Sequence, residues 1–388
     1  MTEIDIRDDV QAKFLALYGY KPAGQWSAPG RVNLIGEHTD YNLGFVLPFA
    51  INRRTFVALG LREDRVIRVA SSFADEVVEI PLAELAPEAL HGWSAYPLGV
   101  AWALSEHGAE LATVPGVDIF IESDVPVGAG LSSSAAIESA VAIALNDVWR
   151  LTLSRPVLAQ VGQRAENVVV GAPTGIMDQS ASLLGQKDCA VFLDCRSLES
   201  EIVDLGLEAA GLVVLIIDTG VSHDHSTGGY AERRASCELG ARMLGVETLR
   251  DVTVDALPRA REILDDVTFR RVRHVVTENQ RVLDTVDVLR NLGPVGIGDL
   301  LDASHRSMRD DFEISVRELD LAVETAQSNG AIGARMTGGG FGGAAIALIR
   351  SDELSRLQVA IDGAFAEHGF GQPDTFVVTA AQGASREN

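Results

Sequence analysis

Apolar and polar residues follow one another along the chain in two rhythms, one of period near 3.6 and one of period 2, and each marks its own kind of element. Apolar positions at helical spacing predict an amphipathic helix from Asp8 to Tyr18. Alternating or continuous apolar runs then predict strands at Trp26–Asn33, Phe45–Leu61, Val66–Ala70 and Val77–Ile80. A helix is expected at Tyr96–His107, a strand at Val117–Ile121, and helices at Ala135–Trp149 and Ser154–Val168. Strands at Cys189–Asp194 and Leu212–Asp218 close this half. The remainder reads as helices at Tyr230–Leu244, Thr268–Arg290 and Val316–Ser328, followed by a small sheet of Ala331–Met336, Ala344–Ile349 and Thr375–Val378 with a helix at Glu353–His368. No internal repeat or low-complexity stretch interrupts this order.

Three segments break the rhythm. In the first, Ala28 to Tyr41, an apolar strand-like run gives way at Gly36 to Glu37, His38, Thr39 and Asp40. Glu37 and Asp40 accept hydrogen bonds and His38 donates or accepts, a set suited to a polyol, although a solvated turn uses the same residues. In the second, Gly128, Ala129, Gly130, Leu131, Ser132, Ser133 and Ser134 stand directly before a helical run. Small residues let backbone N–H groups approach phosphate oxygens, and the helix start adds unpaired donors and the positive end of its dipole. A serine-capped helix would look the same. No Gly-Lys-Ser/Thr follows, so this is not a Walker loop, and any phosphate contact rests on backbone and serine. The third segment, Met336 to Gly343, holds five glycines in the six positions 338–343. Their conformational entropy is a poor match to a casual linker, and a close approach to another loop or to a ligand is the better reading.

In this order, and with Gly175-Ile176-Met177-Asp178-Gln179 between them, these segments resemble the signature motifs of the GHMP kinases, the first narrowing the resemblance to the galactokinases. The resemblance runs from about Trp26 to the C-terminal strand. It implies two α+β domains, expected at 1–205 and 206–388, with the active site in the cleft between them. It also implies transfer of the γ-phosphoryl group of ATP to the C1 hydroxyl of α-D-galactose with Mg2+ as cofactor. Carried over residue by residue, it places Asp178 and Arg31 in catalysis and Glu37, His38, Thr39, Asp40, Gly175 and Tyr230 around the sugar. Ser71, Trp93 and the loop from Gly128 to Ser134 fall to the nucleotide, and Ser134 and Glu166 to the metal.

Taken singly, the same side chains have plainer readings: a solvated helix face for Glu166, a helix start for Asp178, a surface ion pair for Arg31, packing for Trp93 and Tyr230. Phosphoryl transfer has a loose transition state, so an enzyme chiefly positions the reactants and neutralises charge; Asp178 is then a late proton acceptor and Arg31 a stabiliser of charge. His38 has no second histidine or cysteine at ligand spacing and is not read as a metal ligand. The alternatives are an N-acetylgalactosamine kinase and a non-catalytic galactokinase-like sensor of sugar and ATP. The intact Ser132–Ala136 stretch argues against the sensor, and the polyol set argues against mevalonate or homoserine.

Composition adds exclusions. The 388 residues suffice for about two domains, and 47% hydrophobic with 22% charged residues suits large buried cores. The longest apolar run, Leu212 to Ile217, is far short of a membrane span, and the acidic stretch Met1 to Asp9 lacks an apolar targeting core, so a cytoplasmic location is expected. Cys189, Cys195 and Cys237 are too few for a disulfide framework or closed zinc site. A net charge of -23 argues against nucleic acid or an anionic membrane as partner. ATP must then be attracted by local groups and Mg2+ rather than by the overall field. No obligate protein partner is expected.

Overall fold

The computed structural model describes residues 3–221 and 226–387. The chain opens with α1 (Glu3–Tyr18), β1 (Gly24–Asn33), β2 (Phe45–Val46), β3 (Pro48–Leu61), β4 (Val66–Ser71), β5 (Ala74–Pro81), α2 (Ala95–Ser105) and β6 (Val117–Ser123). It continues with α3 (Ser133–Val148), α4 (Arg155–Ala165), α5 (Met177–Leu184), β7 (Cys189–Asp194), β8 (Ser200–Asp204) and β9 (Leu212–Asp218). The remaining elements are α6 (Ser226–Leu244), α7 (Leu257–Ile263), α8 (Asp266–Asn291), α9 (Gly298–Ser307), α10 (Arg317–Ser328), β10 (Gly333–Met336), β11 (Ala344–Arg350), α11 (Leu354–His368), β12 (Asp374–Val378) and β13 (Ser385–Arg386).

A six-stranded sheet in the order β13-β1-β3-β6-β4-β5 carries the first half, antiparallel except for the β4–β6 pair. The period-2 rule explains why β3 reads as nearly continuous apolar sequence: both of its faces are covered. Val57 and Leu59 point into the core shared with α2, α3 and α4, while Phe56 and Ala58 meet Ile6, Val10 and Phe14 of α1. A four-stranded antiparallel sheet, β10-β11-β9-β12, carries the second half. Leu215 and Ile217 of β9 pack with α8 and α10, and Val214 and Ile216 face the other way. That other face joins Val32, Leu34, Ile35 and Phe49 of the first half to Val282 and Val286 of α8 in one core, so the two halves meet through a continuous apolar seam. The mixed helix and sheet content, with a further three-stranded sheet β2-β7-β8, accords with an α+β architecture.

The structure departs from the expected elements in several places. The single strand expected at Phe45–Leu61 breaks at Leu47, because Val46 pairs with Leu193 in a separate three-stranded sheet while Pro48 pairs with Asn33 of β1. The helix expected to run to Val168 leaves α geometry at Ala165 and continues as a π turn over Glu166–Val170. The sequence reading does not contain α5, α7, α9, β8 and β13; α7 and the two strands are too short to show a period, whereas α5 and α9 do carry an apolar stripe at helical spacing. Finally, the end of the chain returns to the first half, Arg386 and Ser385 pairing with Trp26 and Ser27 of β1. Among the described residues no helix is long and apolar enough to cross a membrane.

Candidate active site

The turn after β1 is built by its own backbone and by the second half. Gly36 (φ 106°) and His38 (φ 62°) adopt left-handed conformations, and the Gly36 N–H donates to Glu278 Oε1 at 3.0 Å. His274 Nε2 donates to the Glu37 carbonyl at 3.1 Å, and Asn42 Nδ2 to the His38 carbonyl at 2.8 Å. Thr39, expected beside the sugar, is turned the other way: it is wholly buried, its hydroxyl is used on the Gly36 and Phe45 carbonyls, and it lines no part of the cavity.

That cavity, about 180 Å³, is bounded by Arg31, Glu37, His38, Asp40, Thr174, Gly175, Met177, Asp178, Tyr230, Gly338 and Gly339. It is smaller than the roughly 300–1,000 Å³ of sites for drug-sized ligands, and the polar side chains of Arg31, Glu37, His38, Asp40, Asp178 and Tyr230 border it beside apolar surface, a mixture suited to a small polyol. Tyr230 and the two glycines come from the second half of the chain, so the cavity lies on the seam. A larger cavity of about 720 Å³, between Leu205–Val214 and Val378–Ala380, shares no residue with it.

The polar groups differ in freedom. His38 is already satisfied: Nε2 donates to the Gly339 carbonyl at 3.1 Å, Nδ1 accepts from the Tyr41 hydroxyl at 2.7 Å, and its ring packs 4.9 Å from Tyr230. Burial lowers its pKa to about 3, so the imidazole is neutral and offers a face rather than a hydrogen bond. Glu37 accepts from the Gly338 N–H at 2.7 Å and from Asn33, with Arg335 at 3.4 Å; burial pushes its pKa up and Arg335 and Arg31 pull it back. Asp40 is the least committed. It accepts from the Tyr41 N–H at 2.8 Å and more weakly from the Met177 N–H at 3.4 Å, and among the described residues no arginine or lysine pairs with it. Burial, then the neighbouring Asp178, raise its pKa to about 6. Gly175 must be glycine, since a Cβ there would fall on the Asp40 carboxylate.

On the opposite wall the Arg31 guanidinium grips Asp178 in two places, Nε to Oδ1 at 2.8 Å and Nη2 to Oδ2 at 2.9 Å. Such a fork fixes orientation as well as charge. Asp178 lies in the first turn of α5, as a helix-start reading requires, but its oxygens serve Arg31 and the Ser132 hydroxyl. Ser132, in a left-handed conformation (φ 57°), therefore leaves the start of α3 without a side-chain cap. Here the simple capping reading fails, and the first N–H groups of a 16-residue helix stay open to an anion. Beside it Ser134 Oγ donates at 3.2 Å to Glu166, which is buried at the π turn rather than on a solvated face. π turns of this kind cluster at functional sites.

The glycine-rich third segment does approach other loops closely. A Cβ on Gly338 would sit 3.0 Å from the Gly130 carbonyl oxygen, and one on Gly340 2.6 Å from that of Ile314. Ser71 and Trp93 stand outside the cavity. Ser71 is buried on β4, its hydroxyl accepting from the Phe73 N–H at 3.2 Å, and Trp93 precedes α2 with its indole N–H buried and unpartnered.

The sequence reading missed the residues that hold the site from behind. Arg335 is completely buried, its Nη1 donating to the Asn33 and Leu34 carbonyls at 3.0 and 2.9 Å, and Glu278 accepts from Arg281 at 2.7 Å and Ser304 at 2.7 Å. Their one signal was position: His274 and Glu278 lie four apart on the apolar stripe of α8, and Arg335 sits among small and apolar residues of β10.

Comparison with known proteins agrees with this geometry. The galactokinase galactose-binding signature matches residues 12–61, the GHMP kinases N terminal domain residues 95–186, and the GHMP kinases C terminal residues 286–367. A galactokinase of Streptomyces coelicolor is 50% identical over 380 residues, 97% of each chain, and one of Mycobacterium bovis 45% identical over 360 residues, 93% of this chain and 98% of its own. The crystal structure of a Lactococcus lactis galactokinase complexed with galactose superposes with a TM-score of 0.92 at 33% identity, covering 98% of this chain and 99% of that one. Identity of this order, sustained over nearly the full length and through all three signature segments, means that the chain belongs to the galactokinase family of the GHMP kinases.

Proposed function

We propose that this protein transfers the γ-phosphoryl group of ATP to the C1 hydroxyl of α-D-galactose, giving galactose 1-phosphate and ADP in the cytoplasm. The observation that carries the reading is the meeting of a small cavity bordered by carboxylates with an uncapped helix start, joined through one aspartate. Asp178 faces the cavity, is gripped by Arg31 and is reached by Ser132 of the phosphate loop.

In this reading Asp40 and Glu37 accept from sugar hydroxyls, and the rings of His38 and Tyr230 cover a face of the sugar. Asp178 orients the C1 hydroxyl and takes its proton late, while Arg31 holds that carboxylate in place and stabilises charge on the transferring group. The phosphates rest on the backbone of Gly128–Ser134 and the open N–H groups of α3. Trp93 and Ser71 serve the adenine end.

The donor set also fits Mg2+. Glu166 is buried, its pKa pushed up by burial and by Asp178, and its hydrogen-bond partners are Ser134, Thr174 and Gln179 with no lysine or arginine among them. A buried carboxylate in such surroundings calls for a cation. Among the described residues no group of three or more histidine, cysteine, aspartate or glutamate side chains could hold a metal unaided. Mg2+ accepts few protein ligands and keeps waters and substrate phosphates, so Glu166 and Ser134 would be its ligands. It would supply neutralisation of the β- and γ-phosphate oxygens.

A coupled ADP-release assay over galactose, glucose and N-acetylgalactosamine tests the proposal. Galactose is expected to exceed glucose by about a thousandfold in kcat/KM, because an epimer leaves a buried acceptor unpaired. Glucose within about tenfold would overturn the hydrogen-bond reading. Preference for N-acetylgalactosamine would reassign the substrate, and galactose binding without ADP release would mark a sensor.

A further inference from the structure

Gln179 follows Asp178 directly, yet its side chain points away from the sugar cavity. Its amide Nε2 donates at once to Glu166 Oε2, at 3.0 Å, and to Glu138 Oε2, at 2.8 Å. Gln179 and Glu138 are both wholly buried. Gly162 of α4 makes room for them: a Cβ there would stand 2.8 Å from Gln179 Cγ and 3.5 Å from Glu138 Oε2. A glycine inside a helix costs about 0.5–1 kcal/mol relative to alanine, so the gap at this point is bought at the expense of α4. Two further oxygens, Glu138 Oε1 and Gln179 Oε1, are buried without partners.

A purely structural origin explains this poorly. Two buried carboxyls sharing a single amide would be replaced by apolar side chains of similar volume at no loss of stability. The cluster does one thing that an apolar core could not: it fixes the rotamer of Glu166. Ser134 and Thr174 each hold one Glu166 oxygen from partly exposed positions, and among the described residues only Gln179 holds it from within the core.

Building on the reading of Glu166 as a metal-holding residue, we infer that Gln179, anchored by Glu138, is a positioning residue that aims the Glu166 carboxylate at the cation of the bound nucleotide. Because Gln179 and Asp178 are neighbours on α5, the same helix then sets both the carboxylate that faces the sugar and the carboxylate that faces the metal. Outer partners of metal ligands typically change metal affinity about 10–100-fold when removed.

The test is Mn2+ binding in the presence of ADP, read by electron paramagnetic resonance, with galactose affinity measured separately by calorimetry without nucleotide. Gln179→Met keeps the volume and removes the amide; it is expected to weaken Mn2+ binding at least tenfold and leave galactose affinity within about twofold. Glu138→Gln retains an acceptor for the amide and should hold Mn2+ affinity within about threefold of wild type, whereas Glu138→Leu should reproduce the Gln179→Met loss. Unchanged Mn2+ affinity in Gln179→Met, with the protein folded by circular dichroism, overturns the inference. A parallel fall in galactose affinity does so too, since it would mark a general loosening of α5. Failure of the underlying reading shows elsewhere: Glu166→Gln would then bind Mn2+ as wild type does.

Discussion

Two clusters of buried carboxylates lie on either side of the reacting centre, and they are compensated differently. On the sugar side Glu37 and Glu278 surround Arg335, and Arg281 adds a second guanidinium. Burial opposes the charge of both acids; at Glu278 Arg281 and Arg335 win, holding its pKa down at about 2, while at Glu37 Arg335 and Arg31 offset only part of the rise. On the phosphate side Glu166 and Glu138 share one neutral amide, and burial followed by neighbouring carboxylates drives both pKa values up. A carboxylate cluster that brings its own cations is framework; it ties the first half's sugar turn to β10 and α8. One that lacks them is stable only with a proton or with a cation from outside. The contrast separates what positions the site from what waits for the substrate.

The largest effect should come from breaking the compensated side. Arg335→Met leaves Glu37 and Glu278 buried without their shared cation, and a loss of about 3–5 kcal/mol in folding stability is expected by chemical denaturation. Loss below about 1 kcal/mol would show that Arg281 suffices. Asp178→Asn comes next: turnover should fall about 10²–10⁴-fold while calorimetry still detects galactose binding. Near-normal turnover would remove Asp178 from proton transfer.

The acid side sharpens the comparison through the sign of its pH dependence. Asp40 has a folded pKa of about 6 against an ordinary 3.8, so its stabilising contribution is present below 3.8 and is lost as the pH rises through 6. Sugar recognition asks for the reverse, a charged acceptor. The kcat/KM for galactose should therefore fall on one ionisation below about pH 6, and this limb should vanish in Asp40→Asn. The smallest effect is expected at Glu138. Its pKa is raised above the ordinary 4.5, so its protonated form favours the fold below 4.5 and that advantage disappears as the pH rises. Glu138→Gln should then raise the melting temperature at pH 7.5 and not at pH 4. For Glu278 the direction is opposite: its contribution is full above 4.5 and is lost as the pH falls toward 2.

Much of this was legible from residues alone. The longer strands of the two large sheets have apolar runs or alternation, and α8, α10 and α11 carry an apolar stripe at helical spacing, so they were found to within a few residues, whereas α1, whose stripe is faint, begins at Glu3 rather than Asp8. The loop before α3 announced itself through glycine and serine, and the crowded glycines 338–343 were read as a close approach, which Gly338 against Gly130 makes concrete. Other features were not legible. Whether Ser132 capped α3 or reached Asp178, 46 positions away, depends on a φ of 57° that no serine prefers by itself. Thr39 and Asp40 are adjacent and equally polar, and only the fold turns one inward and the other to the cavity.

By itself, then, the sequence determined the elements, the loops with special backbones, and the residue types able to meet a sugar and phosphates, because these depend on local period, entropy and hydrogen-bonding capacity. Tertiary structure alone decided which carboxylates find arginines. Arg335 lies 298 positions from Glu37 and 57 from Glu278 by their numbers in the chain, and the burial that pushes up Glu37 and Asp40 exists only once the seam between the two halves has closed.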